Sequence, residues 1–124
     1  MMAFTELEQA ALHSIFSETP ELAANLERQL NSATVTAREN TGGGFFTTIS
    51  VSDDAPPVNS PKVLCNETQA RLNGIEHGLG FVLFMDGGKL HLLEGFAWGP
   101  ESTASLILDD LTFEVYKAPV PLLS

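Results

Sequence analysis

The sequence holds a single cysteine, Cys65, which excludes a disulfide within the chain and suits a reducing compartment. It is also short of cations. Six Lys and Arg stand against sixteen Asp and Glu, a net charge of −10. The six, Arg28, Arg38, Lys62, Arg71, Lys89 and Lys117, are scattered singly. Binding to nucleic acid relies on clustered cations that neutralise phosphates, so neither nucleic acid nor an anionic membrane is expected as a partner. No apolar run approaches the ~20 residues of a membrane-spanning helix. The opening residues, Met1-Met2-Ala3-Phe4-Thr5-Glu6, carry no basic segment ahead of an apolar core, so no secretory leader is expected and the cytoplasm is the expected compartment. Three histidines, His13, His77 and His91, lack the paired spacing that zinc sites use, and no metal or other cofactor is expected.

What the sequence does hold is a clear pair of strands. Two apolar runs, Leu79–Met85 and Leu90–Trp98, flank Asp86-Gly87-Gly88. Such a pair around Asp-Gly predicts a β-hairpin, because a tight turn of matching twist needs φ > 0 at its centre. A turn at Asp86-Gly87 sets Leu83 opposite Leu90 and Phe81 opposite Leu92 on a dry face. It sets Phe84 opposite Lys89 and Val82 opposite His91 on a mixed one. Moving the turn to Gly87-Gly88 slips the pairing by two and keeps the faces.

Ahead of this hairpin the periodicity is helical. Thr5 and Glu8 have the spacing of a capping box, and Leu7, Ala11, Leu12, Ile15 and Phe16 share one helix face. Thr19-Pro20-Glu21 predicts a second start, with Thr19 as cap and Pro20 at the first position. Residues 33–39 and 45–51 alternate as strands. An odd-length loop between them would set Ala37 beside Phe45 and Val35 beside Thr47. Residues 52–61, with three prolines, predict a surface loop and the most mobile segment. Val63–Cys65 and 69–75 have weaker strand character, and 77–80 read as a turn into the hairpin. Leu111, Phe113 and Val115 alternate in a last strand. The expectation is one α+β domain over 1–124, with two N-terminal helices packed on one antiparallel sheet of about five or six strands.

Gly80-Phe81-Val82-Leu83-Phe84, Gly88-Lys89-Leu90 and Leu93-Glu94-Gly95-Phe96 resemble a pattern in small bacterial domains, in which a Gly-Phe-x-Leu-Phe strand precedes a Leu-Glu-Gly-aromatic strand. The resemblance covers about half the chain. It implies a fold and brings no catalytic motif.

Glu94 is the candidate with chemistry. On a regular strand it continues the side of Leu90, Leu92 and Phe96, where an apolar residue is expected. A carboxylate among apolar side chains can serve as a general base or hold a ligand. Two readings compete with this: Gly95 marks a bulge and the strand leaves the core at Glu94, or the carboxylate is structural and accepts backbone N–H bonds. Trp98, beyond a strand end, and His77 complete the alternative reading, a ligand-binding or hydrolytic pocket around Glu94. Cys65 has no base placed beside it and reads as a packing residue. With no catalytic constellation, the first expectation is a non-enzymatic module that binds another protein or itself, most simply as a dimer. Its interface would use Phe46, Val82 and Phe84 on the mixed sheet face.

Overall fold

The computed structural model describes residues 3–64, 67–73, 75–99, 102–104, 106 and 111–117. Thr5 caps helix α1 (Glu6–Ser17). Its hydroxyl accepts from the Glu8 amide at 3.1 Å, and the Glu8 carboxylate accepts from the Thr5 amide at 2.8 Å. This satisfies two donors that a helix start otherwise leaves orphaned. Leu7, Ala11, Leu12, Ile15 and Phe16 form the buried stripe. Pro20 opens helix α2 (Pro20–Ser32). Thr19 does not cap it by side chain: its hydroxyl donates back to the Phe16 carbonyl at 3.2 Å, inside the corner between the helices.

The strands are β1 (Thr34–Asn40), β2 (Gly44–Ser50), β3 (Val63–Leu64), β4 (Thr68–Leu72), β5 (Ile75–Asp86), β6 (Lys89–Ala97) and β7 (Phe113–Lys117). They form one antiparallel sheet in the order β1-β2-β6-β5-β4-β7, with β3 also pairing β5. The α+β class is as expected, with seven strands rather than five or six. Both helices lie on one face. Their buried side chains join a core with Phe45, Ile49, Leu79, Phe81, Leu83, Met85, Leu90 and Leu93. Residues 77–80 are not a turn; β5 runs through them, bent at Gly78, where φ is 76° and a Cβ would lie 2.6 Å from the Ala70 carbonyl oxygen.

The hairpin turns on Gly87 and Gly88, at φ 58° and 79°, with Asp86 opposite Lys89. Two left-handed residues make the tight turn whose twist suits the strands. Beyond it the pairing departs from the sequence reading. Met85 lies opposite Leu90, but Phe84 lies opposite Leu92, so His91 is an extra residue on β6. Leu83 therefore meets Leu93, Val82 meets Glu94 and Phe81 meets Gly95. The expected pairs Leu83–Leu90, Phe81–Leu92, Phe84–Lys89 and Val82–His91 do not form. A one-residue bulge moves every later side chain to the opposite face. Leu93 turns inward, and Glu94 turns outward with Leu92 and Phe96.

A second bulge acts the same way on β1. Val35 pairs with Ile49 but Ala37 with Thr48, leaving Thr36 as the extra residue. Asn40 pairs with Phe45, so the connection is even in length and the expected Ala37–Phe45 pairing is replaced. Val35 and Arg38 then share the helix-covered face, while Ala37 and Glu39 face away.

The segment 52–61 is fastened at several points. Gln29, fully buried on α2, donates to the Pro56 carbonyl at 3.1 Å and the Gly88 carbonyl at 2.9 Å, and accepts from the Leu90 amide at 3.0 Å. The Val58 amide donates to Gly88 at 2.8 Å, and Lys89 reaches the Ser52 carbonyl at 3.1 Å. Gln29→Ala removes one side chain from three buried or part-buried partners, and a buried polar group left unpaired costs about 1–3 kcal/mol. Urea unfolding is expected to record a loss of about 2 kcal/mol, with proteolysis in 52–61 accelerated. An unchanged midpoint and cleavage rate would count against the staple.

Candidate functional site

Two polar centres stand out, one on each side of the sheet. The inner one is built on Glu8. Its Oε1 accepts from the Thr5 amide and from Arg38 Nη2 at 2.7 Å. Its Oε2 accepts from Arg38 Nε at 2.7 Å and from the Thr47 hydroxyl. Arg38 Nη2 also donates to the Ala3 carbonyl at 3.0 Å. Glu8 is 1% exposed, and Thr47 is fully buried. A bidentate guanidinium–carboxylate pair is strong and directional. With four donors on two oxygens, this carboxylate is committed to holding α1 onto β1 and β2, and it has the arrangement of a structural tie rather than of a reacting group.

The outer centre is the face of the sheet away from the helices. Strand pairing sets its side chains in rows. One row runs Glu39, Phe46, Glu94, Val82 across β1, β2, β6 and β5. The next runs Ala37, Thr48, Leu92, Phe84, Val63 and reaches β3. On the other side of the first row, Phe96 lies between Gly44 and Gly80. The Phe96 and Trp98 rings cover Gly80, where a Cβ would lie 2.6 Å and 2.8 Å from them. The two rings meet edge to face at 4.9 Å, a favoured arrangement for aromatic pairs. Phe46, Val82, Phe84, Leu92, Phe96 and Trp98 are all half-buried, while Val63 is 44% exposed. At the hairpin end, Lys62, Val63, Phe84, His91 and Leu92 line an open groove of about 410 Å³.

The structure thus places Phe46, Val82 and Phe84 together on this face, with Glu94 directly between Phe46 and Val82. Glu94 is half-buried in mid-strand and has no hydrogen bond or ion pair among the described residues. It is not in the core, because the His91 bulge has turned it outward. His77 and Trp98 are not gathered around it. His77 lies on β5 five residues before Val82, about 16 Å along the strand, and is exposed. Trp98 lies four residues beyond Glu94. Its indole Nε1 is buried without a hydrogen-bond partner among the described residues. Among those residues no three His, Cys, Asp or Glu side chains group as metal ligands. Cys65 lies outside the described residues, as do 107–110 and 118–124.

Sequence reasoning missed Leu92, Phe96 and Glu39 as members of the outer face, and Arg38 as a member of the inner tie. The signal for Leu92 was present: Leu92-Leu93 are adjacent apolar residues, which on a strand must serve opposite faces. No helix among the described residues is long and apolar enough to cross a membrane. No family model matches this chain, and no match is found among the curated proteins or the solved structures.

Proposed function

We propose that this chain is a non-enzymatic module that binds another protein, or a second copy of itself, through the outer face of its sheet. The observation that carries the reading is the block of half-buried apolar side chains, Phe46, Val82, Phe84, Leu92, Phe96 and Trp98, on the face that neither helix covers. Contiguous apolar surface of this kind marks interaction sites, and aromatic anchors contribute most of the energy in such interfaces. The acidic remainder of the surface keeps the free protein soluble and favours basic partners.

The test combines sedimentation velocity over a wide concentration range with panning of a random peptide library displayed on phage. The expected result is self-association or an enriched peptide, weakened at least about tenfold by Phe46→Ser and Phe84→Ser while the thermal midpoint stays within a few degrees. A monomer at every concentration, together with no peptide that depends on these two side chains, would refute the reading.

A further inference from the structure

We infer that the occupant of the outer face is a basic polypeptide segment, one that sets an arginine or lysine flanked by apolar side chains against Glu94, and not a second copy of this chain. The inference deepens the binding role proposed above and rests on it.

Glu94 stands in the middle of the apolar block, and Glu39 lies on the far side of Phe46 in the same row. With strands ~4.8 Å apart, the two backbone positions are about 10 Å from one another across the Phe46 side chain. Neither carboxylate has a hydrogen bond or ion pair among the described residues. A partner that covered this face with apolar groups alone would desolvate Glu94 without compensation, which is costly. A cation placed there answers both carboxylates and lies beside an aromatic ring, to which guanidinium groups are attracted. The net charge of −10 steers such a segment towards the protein.

A second copy is poorly suited to supply the cation. Arg28 is on α2 and Arg38 is held by Glu8, both on the other side of the sheet; Arg71 forms an exposed ion pair with Glu114, Lys89 donates to the carbonyls of Ser52 and Asp53, and Lys117 to Ser17. Lys62 alone of the six cations lines the groove at the hairpin end. Two-fold docking of the face on itself would also bring together two molecules each of net charge −10 and set Glu39 and Glu94 against their own copies, and like charges brought together across an interface are penalised.

The probes are the phage-selected peptides, made synthetically and titrated against the protein by the fluorescence of Trp98, the single tryptophan. The expected peptides carry Arg or Lys between apolar residues. Their affinity should fall about tenfold or more in Glu94→Gln, further in the Glu94→Gln/Glu39→Gln double variant, and with rising salt. Circular dichroism of the variants checks that they fold; Glu94 lies on an open face, so they should. Peptides that need Phe46 yet carry no cation, or bind Glu94→Gln as tightly as the parent, would overturn this inference and leave the binding role standing. A Phe46-dependent dimer with no selected peptide would likewise overturn it alone. Absence of any Phe46-dependent association would overturn both.

Discussion

Glu8→Ala is expected to lower the free energy of unfolding by about 3–5 kcal/mol, the range seen when one partner of a buried ion pair is deleted. The Glu8 carboxylate takes four donors from three segments: the Thr5 amide, two nitrogens of Arg38 and the Thr47 hydroxyl. Alanine takes away the carboxylate that meets the Arg38 guanidinium at two nitrogens, in a side chain only 15% exposed. It also orphans a buried hydroxyl and undoes the reciprocal half of the helix cap. Glu8→Gln is expected to cost less, because glutamine can still accept from the Thr5 amide, although its amide group cannot satisfy Arg38 at both oxygens. Replacing both partners, as Glu8→Met/Arg38→Met, should cost less than the two single losses added together, since neither charge is then stranded. Urea unfolding of the parent, Glu8→Ala, Glu8→Gln, the single variants Glu8→Met and Arg38→Met, and the double variant measures this directly. A loss below about 1 kcal/mol for Glu8→Ala would mean that the pair is solvated and the tie absent.

Gly44→Ala is expected to cost at least about 3 kcal/mol, the upper range of overpacking in a well-packed site, and to disturb the β2–β6 pairing. Gly44 has φ 155° and lies opposite Phe96. A Cβ there would fall 2.0 Å from the Gly95 carbonyl oxygen and 2.8 Å from the Phe96 Cα. Both are backbone atoms in the central ladder, so relief requires the strands to part. Gly43→Ala supplies the control. Nothing lies within 4 Å of its Cβ position, and the substitution should stay within about 0.5 kcal/mol. Equal stability losses at the two positions would argue against the close strand approach.

The helices were legible in the sequence because their signals are local. The Thr5–Glu8 box, the stripe from Leu7 to Phe16 and Pro20 each report on neighbours within a turn. The central hairpin was legible for the same reason, through Asp86-Gly87-Gly88 between two apolar runs, although the turn falls on Gly87-Gly88 and not on Asp86-Gly87. What misled the strand reading was one extra residue in each of two strands. Thr36 and His91 carry no compositional mark of a bulge, yet each inverts the alternation that follows. The result bears on two charges: Arg38, which plain alternation sets on the side away from Val35 and Ala37, lies inside against Glu8, and Glu94, which plain alternation sets with Leu90 and the core unless the strand leaves it there, lies on the open face. Glu8 itself read only as a cap, although its spacing of four and seven from Leu12 and Ile15 puts it on the buried stripe. A pairing partner on a distant strand was needed to see why a carboxylate belongs there, and pairing across the sheet is not written in any local window.

The placing of Arg38 inside and of Glu94 on the open face carries both the stability and the binding arguments. Side-chain NOEs from Glu94 in a carbon-edited spectrum of the uniformly labelled protein test it most directly. The expected cross-peaks run from the Glu94 methylenes to the Phe46 ring and the Val82 methyls. Cross-peaks from Glu94 to Leu12 or Phe81 instead would place it under the helices and contradict the account.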